Sequence, residues 1–309
     1  MAEQIRITDV SPRDGLQNEP RAIPTSEKVE LVRALCRARV DEVEVSSFVS
    51  ARWIPQLGDA AEVFAELAES PGLHASRPLF SALVPNEKGM AGALEANQRA
   101  GGRLIGKVSV FTAASETFSK RNTNATIEET IERFKPVAAA AAREGLALRA
   151  YVSCIVACPF EGPITPRQVA AVIEKLAQVR DAGRLDEIDL GDTIGAGTPD
   201  SIAAVLETAF TAIERWTPGA ALTLHMHDTF GRAGACIERA LSMGVRSFDA
   251  SSGGLGGCPY ASTPGKRAPG NVSTQLLIEI AQKAGFVATV DDAALAEASA
   301  IASRIVIGR

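Results

Sequence analysis

Along almost the whole of this 309-residue chain, short apolar β-branched runs alternate with segments of helical period. The runs lie near 5–10, 42–47, 78–84, 103–111, 147–155, 187–192, 221–228 and 246–251. Helix-period segments lie between them, among them 26–39, 59–69, 126–144, 166–181, 199–215 and 231–243, with Thr126 and Glu129 spaced as a capping box. Eight strands each followed by a helix is the count of a closed (β/α)8 TIM barrel of the α/β class. An open doubly wound sheet is the alternative. Two more helices are expected at the C-terminal end, at about 273–284 and 292–307, so residues 1–309 read as one barrel domain.

A barrel places functional side chains at the C-terminal ends of its strands, and the polar residues collect there. The first run enters Arg13-Asp14-Gly-Leu-Gln17, the second contains Glu44, and the sixth contains Asp189 and ends at Asp192. The seventh carries His225 and His227, and the eighth enters a Gly/Pro-rich loop, 252–271, containing Cys258 and ending at Asn271. Any one acid here fits an ordinary rim ion pair, but five strands doing so together point to a site.

The chain has only three histidines, and two of them are an i, i+2 pair in a strand, which puts both imidazoles on one face. With Asp14 and Asn271 they form a nitrogen and oxygen ligand sphere suited to Mg2+ or Mn2+, with Zn2+ as the runner-up. Arg13 brings a fixed positive charge for an oxyanion. Cys258, set among glycines, is a candidate acid/base.

Composition excludes other classes. The net charge of −5 gives no basic footprint for nucleic acid or an anionic membrane, and no apolar run is long enough to span a bilayer. Five cysteines without a CxxC suggest free thiols, and the N-terminus lacks a signal or transit pattern, so a cytoplasmic protein is expected.

The segments DVSPRDGLQNE, VEVSSFVSARWIPQLGD, VSVFTAASETFSKRN, YVSCIVACPFEG, LGDTIGAGTP, HMHDTFG and GLGGCPYA, in this order, resemble the 3-hydroxy-3-methylglutaryl-CoA lyase family of metal-dependent acyl-CoA lyases. The resemblance implies a (β/α)8 barrel and cleavage of 3-hydroxy-3-methylglutaryl-CoA to acetyl-CoA and acetoacetate. It implies Asp14, His225, His227 and Asn271 as metal ligands, Arg13 as the enolate stabiliser and Cys258 as the loop thiol. Glu44 and Asp192 are implied as supporting or acid/base residues, and Gln17 lies near the substrate. The alternatives are a sister lyase for citramalyl-CoA or an isoprenoid-extended glutaryl-CoA, and further off a Claisen-condensing acyltransferase. An acyl-CoA is the implied partner; a homo-oligomer stays open.

Two departures bear on the acyl substituent. The twelve residues PYASTPGKRAPG between Cys258 and Asn271 make a loop roughly four residues longer than the family's usual spacing. This loop carries Lys266 and Arg267, read either as a solvated tip or as contacts to the acyl group or the CoA phosphates. Gln275 stands where the family usually has Glu, which is expected to remove a charge beside the metal.

Overall fold

The computed structural model describes residues 2–70, 78–257 and 270–307. All eight runs are parallel strands: β1 (Arg6–Asp9), β2 (Glu42–Ser47), β3 (Leu79–Leu83), β4 (Lys107–Ala113), β5 (Ala147–Ser153), β6 (Glu187–Asp192), β7 (Ala221–Met226) and β8 (Ser247–Ala250). They close into a barrel in sequential order, sealed where β1 pairs β8 with Arg6 opposite Ser247. The fold is a (β/α)8 barrel, because every strand is buried on two sides and only a helical crossover can return the chain to a parallel neighbour.

The crossover helices are α1 (Thr25–Ala38), α2 (Ala60–Ala68), α3 (Glu87–Arg99), α4 (Glu116–Thr123), α5 (Ile127–Glu144), α6 (Pro166–Ala182), α7 (Pro199–Trp216) and α8 (Ala233–Ser242). Their starts are written locally. Thr126 and Glu129 form the expected capping box on α5, and Thr165 with Gln168 repeats it on α6. The β4–β5 connection holds two helices rather than one, because Ser115 caps α4 and Asn124 ends it at φ 51°. A two-residue antiparallel ribbon, 157–158 with 162–163, follows β5.

After β8 come α9 (Thr274–Lys283) and α10 (Asp292–Ile307). α10 lies against α1, where Arg37 meets Glu297 at 2.7 Å and Arg304 meets Glu30 at 2.5 Å.

The barrel interior is charged as well as apolar. At its floor, Lys107 Nζ lies 2.6 Å from Glu42 and 2.5 Å from Glu187. One layer up, fully buried Arg149 reaches Glu187 at 2.7 Å and Asp249 at 2.9 Å. These residues stand on alternating positions of β2, β4, β5, β6 and β8, the inward-facing set of each strand.

Candidate metal centre and active site

The centre forms at the C-terminal mouth. A cavity of about 500 Å3 at the opposite end, lined by Arg6, Asp41, Arg246 and Ser247 among others, includes none of its residues. Immediately after β1 the chain makes one tight π-helical turn, Ser11–Gly15, which turns Arg13 and Asp14 over the barrel mouth. The turn is tied down from below. Asp9 accepts from the amide and hydroxyl of Ser11, from both of those groups on Ser252, and from Thr274 Oγ1. One buried carboxylate thereby joins the ends of β1 and β8 to the start of α9.

His225 lies on β7 and His227 just beyond it. Their Nε2 atoms face each other at 3.2 Å, as their shared strand face requires. His225 Nδ1 lies 3.1 Å from Asp249 Oδ2. A proton on Nδ1 makes that contact a hydrogen bond and leaves the Nε2 lone pair aimed into the site. Asn271 arrives by backbone pairing rather than by following β8: residue 271 bridges His227, and the Val272 amide donates to Met226 O at 2.9 Å. Its Nδ2 donates to Asp14 Oδ2 and to Leu255 O, both at 2.9 Å.

Asp14, His225 and His227 offer ligand atoms within 4.8 Å of one another. A second group, Asp189, His225 and Asp249, meets the same distance test deeper in the barrel. The Arg149 guanidinium already sits there, 2.9 Å from Asp249 and 3.4 Å from Asp189, and opposes a second cation. The upper group carries the marks of a cation seat. Asn271 Oδ1 is buried without a hydrogen-bond partner among the described residues. The residues fit a divalent ion.

The charges around this seat agree with it. Burial acts to raise the Asp14 carboxyl, but Arg13 and the two histidines outweigh it and hold it below its usual range. Burial and the neighbouring His225 push His227 down to about 4, so its ring is neutral, the form that binds metal. Burial disfavours charge on His225 too, yet the Asp249 hydrogen bond and charge raise it.

Arg13 holds the acids together. Its Nε donates to Glu44 Oε2 at 2.5 Å and its Nη1 to Asp14 Oδ1 at 2.7 Å. Nη2 has no hydrogen bond among the described residues. Gln17 Nε2 also donates to Asp14 Oδ1, at 2.8 Å. Glu44 accepts a further bond from Ser109 Oγ at 2.9 Å.

Asp192 makes no hydrogen bond to this cluster but lies within electrostatic reach of His225. Its two oxygens accept the amides of Ala196, at 3.1 Å, and Gly197, at 2.7 Å, in its own loop. The approach needs glycine at 197, where a Cβ would come within 2.7 Å of Asp192 Oδ2. Burial raises the Asp192 carboxyl to about 6 against those two amides.

Gln275 departs from expectation. Its amide donates to Ser299 Oγ on α10, so the side chain is turned to the helix interface, whereas Asn271, four residues earlier and ahead of α9, donates to Asp14. The exchange of Glu for Gln therefore alters the α9–α10 contact rather than the charge beside the metal seat. Cys258, Lys266 and Arg267 lie outside the described residues.

Three residues of the site went unnoticed in the sequence: Arg149, Tyr151 and Asp249. Arg149 Nη1 donates to Tyr151 Oη at 2.9 Å, and that oxygen lies 3.2 Å from both Glu44 Oε2 and Asp249 Oδ2. Burial keeps the Tyr151 phenol well above its ordinary range, a neutral donor. The signal was present: in ALRAYVS and SFDAS these side chains fall on alternate positions of strands that are otherwise apolar.

The HMGL-like family model matches residues 4–302. A Pseudomonas aeruginosa 3-hydroxy-3-isohexenylglutaryl-CoA/hydroxymethylglutaryl-CoA lyase is 42% identical over 89% of this chain and 84% of its own. The hydroxymethylglutaryl-CoA lyase of Pseudomonas mevalonii is 42% identical over 96% and 90%. The solved structure of the HMG-CoA lyase of Brucella melitensis superposes with a TM-score of 0.86 at 42% identity, over 98% of this chain and 99% of that one.

Proposed function

This chain belongs to the HMGL-like family, and on that footing we propose that it is a carbon–carbon lyase cleaving 3-hydroxy-3-methylglutaryl-CoA to acetyl-CoA and acetoacetate. The observation that carries the reading is Arg13, whose guanidinium joins Glu44 to Asp14 directly beside the facing imidazoles.

Asp14, His225, His227 and Asn271 would hold Mg2+ or Mn2+. A divalent ion bound there supplies Lewis acidity toward the substrate's 3-hydroxyl. The chain's own groups account for the remaining tasks. The hydroxyl proton leaves, the C2–C3 bonding pair passes to C2, and the acetyl-CoA fragment departs as an enolate whose charge lies largely on the thioester oxygen. Arg13, with Nε and Nη1 committed, keeps Nη2 for that oxygen, and Glu44 fixes the plane of the guanidinium. Asp192, lifted to about 6, suits the base that takes the hydroxyl proton. Cys258 is the acid we assign to deliver a proton to C2, on the family resemblance.

The test is acetyl-CoA release from a panel of 3-hydroxyacyl-CoAs with Mg2+, with and without chelator. Release confined to the metal-loaded protein, and a large fall in kcat with little change in KM for Arg13→Lys, are expected. A rise in KM alone would make Arg13 a binding residue. A second reading is a sister lyase for a longer acyl chain, favoured by the Pseudomonas aeruginosa relative, whose name joins both substrates. If the isohexenyl compound has the higher kcat/KM in the same panel, that reading replaces the first.

A further inference from the structure

Tyr151 has one phenolic proton and two carboxylates in reach. Its oxygen lies 3.2 Å from Glu44 Oε2, the oxygen that also accepts from Arg13 Nε, and 3.2 Å from Asp249 Oδ2, the oxygen that meets His225 Nδ1. A phenol can donate fully to only one of them, or share its proton between both. Arg149 Nη1 donates to the same phenol at 2.9 Å and to Asp249 Oδ1 at 2.9 Å, which polarises the O–H bond. The ring is equally committed. The guanidinium carbons of Arg13 and Arg149 each lie 5.4 Å from its centroid, and His225 meets it edge-on at 6.3 Å.

We propose that Tyr151 is a positioning residue that couples Arg13 to the metal ligand His225 through the Glu44 and Asp249 carboxylates. Replacing either contact by water is disfavoured, because Tyr151, Glu44 and Asp249 are all buried. The two halves of the centre are therefore set by one hydroxyl. When the hydroxyl donates to Asp249 it orients His225 through that carboxylate; when it donates to Glu44 it orients Arg13. The turnover part of this inference rests on the lyase reading; the metal-affinity part does not.

The experiment is Tyr151→Phe, which keeps the ring contacts and removes only the hydroxyl. Mn2+ affinity, titrated without substrate, should fall about tenfold, the low end for a residue that orients a ligand. At saturating Mn2+, kcat should fall about tenfold with KM within about twofold. In Arg13→Lys, adding Tyr151→Phe should cost no further kcat, because the hydroxyl acts through the guanidinium already lost. An unchanged Mn2+ affinity, or kcat losses that multiply in the double variant, overturns the coupling. A 3-fluorotyrosine at 151 retains the hydroxyl and gives a second reading on folded protein. Its fluorine resonance should move on adding Mg2+ and move separately in Arg13→Lys, and a resonance still in both cases also overturns the proposal. If the native protein releases acetyl-CoA from no acyl-CoA, the lyase reading fails, while the Mn2+ titration and the fluorine resonance still decide the coupling.

Discussion

At the floor of the barrel, Lys107 lies between Glu42 and Glu187, and both acids have a second cation, Arg6 at 2.8 Å and Arg149 at 2.7 Å. At the mouth, Asp14 also has its cation, but beside it two imidazole nitrogens face each other at 3.2 Å and the Asn271 amide oxygen has no donor among the described residues. Both regions bury polar and charged groups inside the same barrel. At the floor each acid lies against two or more cations, Glu42 also having Arg149 at 3.6 Å from its otherwise unpaired Oε1, so the charge is balanced by protein alone. The mouth gathers acceptors without enough donors, an arrangement stable only when something cationic satisfies them. Burying a charged residue in a barrel strand thus does not identify a site; unmatched lone pairs pointing at one place do.

The largest break in this contrast should come from His225→Ala. Mn2+ affinity is expected to fall about a hundredfold and turnover to be lost, while folding stability changes little; unchanged Mn2+ binding would remove the mouth from consideration as a metal seat. The floor should respond in the opposite sense. Lys107→Met leaves two buried carboxylates short of a partner and is expected to cost about 3 kcal/mol in urea unfolding, the low end for a broken buried pair because Arg6 and Arg149 remain. Its Mn2+ affinity should not change, and a matching loss of affinity would mean that the two regions are not separable.

A smaller effect should follow from Gly256→Ala. Gly256 has φ +108°, and a Cβ there would stand 2.5 Å from Asn271 Nδ2 and 3.3 Å from Asp14 Oδ2. Displacement of Asn271 should weaken Mn2+ about tenfold; full retention of affinity would show that Asn271 is not needed by the ion.

The smallest effect concerns Asp192 and pH. Its folded carboxyl, raised to about 6, exceeds the unfolded value near 3.8. The native state therefore holds a proton that the unfolded chain has released, so this contribution to stability is fully present below pH 3.8 and is lost as pH rises through 6. Relative to Asp192→Asn, the native protein should lose stability between pH 4 and 6 and run parallel above it. Parallel curves throughout would mean that the two loop amides hold the carboxylate near its ordinary range.

Much of the fold was legible because its signals are local. Apolar runs, capping boxes and the two terminal helices each depend on residues within a few positions, and the structure follows them, apart from the second helix between β4 and β5. The His225 and His227 pair was legible for the same reason: strand geometry alone puts them on one face. Arg149, Tyr151 and Asp249 were not, although each stands on an alternating position. Whether an inward polar residue fills a layer, closes an ion pair or reaches the site depends on its level in the barrel, and the level is set by strand stagger.

Order and spacing along the chain thus determined by themselves that eight parallel strands form, that the last helices follow β8, and that Asp14, His225 and His227 lie at strand ends. Only the tertiary structure decided how those ends meet. It brought Asn271 to His227 by backbone pairing, turned Gln275 away to Ser299, and set one phenol between Glu44 and Asp249. The physical reason is that these contacts join residues as many as 107 positions apart. Their distances come from closure of the whole barrel, which no local preference of the chain contains.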